Sequence, residues 1–497
     1  MFASDICILG AGPAGCALAV RMAELGHRVC LIERATFPRA HLGESLTPGV
    51  LPLLNVLGVR EAVEAAGFSR VDAVRVEWGQ GPQWRRDPRR EGLLVDRGHF
   101  DALLLDCAKA LGVRVLQPAV LRERRWDADG WHLRIQSNEG SIELNAKFLA
   151  DACGRAAVLP GRRRHTGGRT LALYAYWRGR RLPLEPRIEA GDDAWYWGVP
   201  LPDGSYNTLI FVDFDHFRSA PHVAVTERFR ELISRSRIMA GCHDAQAGPV
   251  RACDATPYVD ENSVTACSIK VGDAALAIDP LSSSGVQKAL QNALAGAVVV
   301  NTLLRRPDSW EAALRFFRDS LHTASSSHCR WAAALYQEVA QRGGGPFWRE
   351  RAVGAVSSPG RAQSTMPVHR QLNSDAVFHV SPQLEFVDQP CIDGQFVTVK
   401  TALRHPSLDG PMAFLGGWEI GPLVKQLPGG LTPVQIARSW ASQVPLDTGL
   451  ALVSWLVDHD ILVPAVFATQ DSATLYQAQS GGHEELLESA VSSHAAG

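Results

Sequence analysis

The residues Gly10-Ala11-Gly12-Pro13-Ala14-Gly15 form a GxGxxG turn, a pattern that can bind a diphosphate through backbone amides. Alone the motif is weak, and it is informative only between a strand and a helix. Both are expected here. An apolar run at 4–9 precedes it, a helical pattern runs from Gly15 to about Gly26, and a second apolar run, Val29 to Ile32, ends at Glu33-Arg34. Glycines let the chain turn tightly and approach a diphosphate. The helix N-terminus presents free N–H groups and a partial positive charge to it, and Glu33 can accept hydrogen bonds from a ribose. Gly10, Gly12, Pro13, Ala14, Gly15, Glu33 and Arg34 are therefore expected cofactor contacts.

Distant segments indicate which dinucleotide. Phe148-Leu-Ala-Asp-Ala-Cys-Gly-Arg155 is an apolar run into Asp151 and Gly154. Val271-Gly272-Asp273-Ala274 follows another apolar stretch. Asp279-Pro280-Leu-Ser-Ser-Ser284-Gly285-Val286 then enters a helix. These segments resemble those of glutathione-reductase-type flavoprotein monooxygenases, over about residues 1–340. The resemblance implies FAD, with Asp273 on the ribityl chain and Arg97 touching the cofactor. The Pro280, Gly285 and Val286 turn would set a helix N-terminus against the pyrimidine side of the isoalloxazine, where negative charge gathers on reduction.

Narrower likenesses concern the chemistry. Gly43-Glu44-Ser45-Leu46-Thr47-Pro48 resembles the GES motif of flavin-dependent halogenases, and Trp195-Tyr196-Trp197-Gly198-Val199-Pro200 fits their WxWxxP pattern. In that family the two tryptophans keep substrate away from a flavin hydroperoxide; as residues alone they equally suit a packed strand. The sequence departs from the family at one decisive place. Halogenases use a lysine after the GES motif to carry hypohalous acid, whereas residues 67–79 here contain none, and Asp72 and its neighbours occupy the place. Ala277 also replaces a family phenylalanine. An aspartate forms no chloramine, and arginine is a poor substitute for lysine.

Without that lysine a flavin C4a-hydroperoxide can pass oxygen directly to an electron-rich ring, with the protein supplying position, dryness and a proton. The chain is most similar to flavoprotein monooxygenases that hydroxylate a tryptophan within another protein during biogenesis of a tryptophylquinone cofactor. Expected partners are O2, a tryptophan-bearing protein or peptide, and NAD(P)H as electron source, directly or through a reductase. The expected catalytic residues are Ser45, Trp195, Trp197, Ser284 and Gly285, and Gly43, Glu44 and Ser45 are also expected at the cofactor. Two alternatives stay open: a halogenase or hydroxylase of a small aromatic, and a non-catalytic flavin-binding partner of a maturation complex. No general acid or base is readable, since Glu185, Glu189, His216 and His243 read as structural or solvated.

These residues need elements to position them. The fold expected is α/β: a glutathione-reductase-type, Rossmann-like FAD domain with an inserted antiparallel substrate sheet, followed by a small C-terminal α+β unit resembling a winged helix. The first region spans 1–345, with FAD segments near 1–80, 95–160 and 264–345 and the sheet near 81–94 and 161–263. Residues 346–383 read as a linker, 384–466 as the small unit and 467–497 as a tail. Within the small unit, Thr432 reads as an N-cap. Modules resembling it recognise leader peptides in peptide-modifying systems; a lid or dimer contact is the plainer reading.

Composition excludes other classes. The 497 residues are 46% apolar and 21% charged, with formal net charge −2. That balance disfavours nucleic-acid binding by bulk electrostatics. Basic runs at Arg85, Arg86, Arg89, Arg90 and Arg162 to Arg164 read as solvated faces. No run of about 18 apolar residues suggests a membrane span, and the first residues do not resemble a secretion signal. Ten scattered cysteines without CxxC spacing suggest free thiols in the cytoplasm and no metal.

Overall fold

The computed structural model describes residues 2–79, 81–86, 91–179, 182–219, 223–237, 239, 248–353 and 375–465. Arg89, Arg90, His243, Cys242 and the expected tail lie outside them. The chain divides into two compact units, Met1–Pro359 with Pro390–Thr398, and Gly360–Gln389 with Val399–Gly497.

The first unit starts as its apolar spacing demands. Strand Phe2–Leu9 lies parallel to Val29–Ile32 on one side and to Gly140–Asp151 on the other, with helix Pro13–Glu24 between the first two. Arg114–Leu116 extends one edge in parallel, and Ser268–Lys270 pairs in parallel with Gly140–Asp151. An antiparallel meander, Ala119–Asp127, Gly130–Ser137 and Gly140–Asp151, completes the seven strands. Its turns fall at Asp129-Gly130 and Glu139-Gly140, where both glycines take positive φ. The short strands are buried on both faces, so they read as continuous apolar runs. Helices Pro13–Glu24, Arg97–Ala110, Gly285–Arg305 and Trp310–Ala340 pack into the same core.

A second seven-stranded sheet carries Arg251–Asp254, Thr170–Trp177, Tyr206–Asp213, Ala194–Pro200, Arg187–Ala190, Ala73–Glu77 and Pro82–Arg86, in that order. Period two divides its faces. Leu171, Leu173, Ala175 and Trp177 meet one core with Ala194 and Tyr196. Ala172 and Tyr174 meet another with Trp195, Trp197 and Phe211. Two boundaries differ from the expectation. Strand Ala73–Glu77 belongs to this second sheet rather than to the dinucleotide segment ending near 80. Its parallel pairing with Arg187–Ala190 recruits it, and no local pattern records that.

The expected linker is also structured at both ends. Pro346–Ala352 is a helix that buries Phe347 and Trp348 against Tyr336, and Phe378–Val380 is a strand. The glycines Gly343-Gly344-Gly345 follow the end of helix Trp310–Ala340, and burial of two aromatic side chains then offsets the entropy of ordering the next one. In the second unit, helices Ile420–Lys425, Pro433–Ser439 and Leu446–Asp458 enclose a core of Leu423, Ile436, Trp440, Leu452 and Leu456. Thr432 caps its helix through a full capping box with Gln435. Phe378–Val380 pairs with Leu462–Pro464 across this unit.

Candidate active site

The opening turn is built by close packing at two of its glycines and not at a third. Gly10 has φ +96°, and a Cβ there would lie 2.6 Å from Ala152 O; a Cβ on Gly15 would lie 1.9 Å from Gly10 O. These two are required by the chain's own backbone. Gly12 has an ordinary extended backbone, φ −69° and ψ −179°, and its Cβ would find only Arg39 Nη2, at 3.8 Å. Gly285 is similar, with nothing within 4 Å. Bare positions that face open space at two helix N-termini fit a cofactor whose diphosphate and ring approach the backbone there.

Other expected contacts are already engaged within the protein. Glu33 accepts Ala11 N–H and Ala35 N–H, both at 2.8 Å, so it ties the turn to the second strand. Each of its oxygens keeps a lone pair for a hydroxyl. Arg97 is buried and forks onto Asp101 at 3.0 and 3.2 Å, while its Nη1 donates to Leu42 O at 2.6 Å. It therefore braces the Leu42–Gly43 backbone, and a Cβ on Gly43 (φ +100°) would strike it at 2.8 Å. Arg34 is exposed, and Pro13 and Ala14 open the first helix. Asp273 sits half-buried in a short 3-10 turn and its carbonyl accepts the Tyr258 hydroxyl at 2.7 Å.

The two chemistry-bearing loops meet. Thr47 Oγ1 donates to Gln287 Oε1 at 2.6 Å, which links the Gly43–Ser45 segment to the first turn of helix Gly285–Arg305. Ser45 begins a short strand paired with Leu94. Asp279 caps the Pro280 turn by accepting Leu281 N–H at 3.0 Å, Ser283 takes a left-handed φ of 50°, and Ser284 precedes Gly285 at the helix start. Val286 packs on the large core.

Leu281 and Leu42 share a cluster with Trp195, Trp197, Phe211 and Tyr336, so both loops face one side of the second sheet. Trp195 is buried and stacks on Phe211, with centroids 3.7 Å apart. Trp197, one pleat on, is half-buried. Tyr336 donates to Asp279 Oδ2 at 3.0 Å. Desolvation by the surrounding packing pushes the Asp279 carboxyl up, against the Leu281 amide, Tyr336 and Arg351.

The structure also assembles a group that sequence spacing did not suggest. Tyr176 donates to Glu44 Oε1 at 2.8 Å, Asn207 Nδ2 donates to the same oxygen at 3.1 Å, and Gly43 N–H donates to Oε2 at 2.9 Å. Tyr176 and Asn207 are opposed on neighbouring strands. Within apolar strands they read as core residues, and only the ladder register could have paired them. Burial raises the Glu44 carboxyl above its usual range, with Tyr176, nearby amides and Arg97 opposing.

The other acidic and histidine candidates lie elsewhere. Glu189 is buried and holds Ser236 Oγ at 2.6 Å, Glu185 pairs with Arg187, and His216 is exposed on a short helix. Asp72 pairs with Arg86 at 3.2 Å. Among the described residues no group of three or more His, Cys, Asp or Glu is arranged to hold a metal, and no helix is long and apolar enough to cross a membrane. A hollow of about 530 Å³ lies within the second unit, lined by Ser381, His405, Ser407 and Asp460 among others; it shares no residue with this site.

The chain is similar to known flavoproteins. The FAD dependent oxidoreductase family model matches residues 5–162, and the tryptophan halogenase model matches residues 90–386. A tryptophan 2-halogenase of Chondromyces crocatus is 31% identical over 370 residues, covering 69% of this chain and 70% of that protein. Among solved structures, the peptidyl tryptophan dihydroxylase QhpG, essential for tryptophylquinone cofactor biogenesis, is 26% identical with a TM-score of 0.71. The match covers 92% of this chain and 99% of that one. The flavin-dependent halogenase CmlS has a TM-score of 0.73 at 22% identity, covering 93% and 96%, which is a likeness of fold.

Proposed function

This chain belongs to the flavin-dependent tryptophan halogenase family, and from that premise we propose that it is a FAD-dependent monooxygenase that hydroxylates an aromatic ring. Its substrate on this reading is a tryptophan residue of a protein or peptide, modified in tryptophylquinone biogenesis. The observation that carries the reading is the lysine-free stretch 67–79. Val74 and Val76 of that stretch join the cluster holding the two tryptophans, and Asp72 is occupied by Arg86. The strand there, Ala73–Glu77, carries no lysine and so offers no amine to carry an oxidised halogen. The likeness to the peptidyl tryptophan dihydroxylase, extending over nearly the full length of both chains, supports the same choice.

The free amides of helix Pro13–Glu24, with the bare Gly12, would hold the FAD diphosphate, and Glu33 and Asp273 its hydroxyls. Gly43, Ser45, Pro280, Ser284, Gly285 and Val286 would line the ring. When bound and reduced, FAD supplies the electrons that activate O2, drawn from NAD(P)H directly or through a reductase. Trp195 and Trp197 wall the site and, with Phe211 and Leu281, keep water from it. The cytoplasm, where NAD(P)H is at hand, is the compartment this reading expects.

A second reading, halogenation of a small aromatic, is favoured by the 31% identity to a tryptophan 2-halogenase. One incubation separates them: protein, FAD, NADH, O2 and bromide, with free tryptophan in one arm and a tryptophan-bearing peptide in the other. Mass spectrometry should show one added oxygen on the peptide. Bromine on either substrate, or flavin uptake without any product, would overturn the proposal.

A further inference from the structure

We infer that Glu44 and Tyr176 form a proton-transfer pair: the carboxyl stores a proton, and the phenol hands it to an oxygen atom on the substrate-sheet face. The role in turnover rests on the monooxygenase reading above. The need for such a pair follows from the balance of that reaction. One atom of O2 enters the ring and the other leaves as water, so NAD(P)H, O2 and substrate consume one proton per turnover beyond the hydride.

The geometry assigns where that proton sits. Glu44 is 4% exposed and linked to both halves of the site, through Gly43 on the loop side and through Tyr176 and Asn207 on the sheet side. Oε2 accepts the Gly43 amide, and Oε1 accepts both Tyr176 and Asn207 while Glu44 is ionised; once protonated, Oε1–H donates back across the same 2.8 Å contact to the phenol oxygen, still accepting Asn207, and the phenol O–H is free to turn to the substrate side. Neither Arg97, turned to Asp101 and Leu42 O, nor any other cation makes an ion pair with this carboxylate among the described residues. Burial without an ion pair pushes the carboxyl toward the neutral acid, against the hydrogen bonds it accepts and the nearby Arg97. Asn207 adds a second observation: its side chain is fully buried and its Oδ1 accepts no hydrogen bond among the described residues, a polar atom left available at this site.

Tyr176 supplies the exit. Its strand neighbours Ala175 and Trp177 are buried, but Tyr174 and Tyr176 are half-exposed on the face that carries Trp197. The charged and titratable groups around the pair are Arg97 beside Glu44, and Tyr174 and Arg251 beside Tyr176. Burial pushes the phenol pKa up, so it works as a conduit and never as a stored phenolate. In one step the phenol O–H proton moves to the acceptor oxygen while the Glu44 Oε1 proton moves to the phenol oxygen. Tyr176 ends neutral, Glu44 ends as carboxylate, no electron changes hands, and solvent restores the proton afterwards.

The test has a spectroscopic arm that needs neither flavin nor substrate. Infrared difference spectra of wild type against Glu44→Gln should reveal a protonated carboxyl C=O band at pH 7. That band should shift in Tyr176→Phe, which loses the partner on Oε1. Absence of the band in wild type overturns the pair, whichever aromatic the protein modifies. In the kinetic arm Tyr176→Phe should bind FAD as wild type does, yet lose about 10²-fold in kcat and the high-pH limb of its profile. Wild-type kcat and pH profile in that variant also overturn the pair. A wild type that brominates instead sinks the proposed function alone, and the presence or absence of the infrared band then decides for or against the pair.

Discussion

Replacing Gly12 by valine separates what the turn needs for folding from what it needs for the cofactor. At Gly12 the backbone is one that any residue adopts, and the nearest atom to an added Cβ is Arg39 Nη2, at 3.8 Å. The position is the N-cap of its helix with no side-chain cap to lose, so a substitution should cost about 1 kcal/mol or less. For a domain of this size that is a melting shift of roughly 2–4 °C. At Gly15, by contrast, even an alanine Cβ would lie 1.9 Å from Gly10 O, so the turn must open, at about 1–3 kcal/mol or more. The assay pairs thermal unfolding of the flavin-free protein with titration by FAD, read by quenching of flavin fluorescence. Gly12→Val should melt close to wild type and retain no flavin, because its isopropyl group fills the space in front of the helix amides. Gly15→Ala should lose stability itself. A yellow, flavin-loaded Gly12→Val protein, or one as destabilised as Gly15→Ala, would refute the reasoning.

Two further outcomes follow from particular contacts. Asp72→Lys returns an amine to the stretch where the halogenases carry one, but Asp72 lies at the surface against Arg86. No brominated product should appear with NADH, FAD, O2 and bromide, since position as well as type must be right; bromotryptophan in that mixture would contradict the placement. Lys288 is buried with its Nζ on Leu276 O at 2.8 Å, and burial lowers it to about 7, with Asp273 opposing and Arg155 adding. Between that value and the unfolded one near 10.5 the unfolded chain holds a proton that the native state does not. Wild-type stability should therefore rise with pH across that window, and the cost should be fully present below pH 7. Lys288→Met should raise the melting temperature most at pH 6, by relief on the order of a few kcal/mol less the lost Leu276 bond, and should flatten the rise toward pH 9. Identical pH slopes in the two proteins would count against it.

Much of the dinucleotide region was legible because its signals are local. Glycine where a Cβ cannot go, an apolar run with a period, and a capping threonine each act over a few residues. Those rules placed the turn at Gly10–Gly15, the strand pair around it, the helix that starts at Gly285, and the Thr432 cap. The second sheet was only partly legible. Its strands alternate, but neither the recruitment of Ala73–Glu77 beside Arg187–Ala190 nor the helix at Pro346–Ala352 follows from local pattern. Both exist because a distant partner covers their apolar side chains.

The site divides along the same line. Residue type and spacing alone determined that a dinucleotide turn opens the chain, that Pro280–Val286 leads into a helix, and that no lysine occupies 67–79. Tertiary structure decided that Arg97 braces Leu42 and Gly43, that Gly12 faces open space while Gly15 is packed, and that Glu44 meets Tyr176 and Asn207 across more than a hundred residues of chain. The physical reason is range. Backbone conformation is set by nearest neighbours, whereas burial, and the hydrogen bonds a buried carboxyl must then find, depend on whichever strand the register brings alongside.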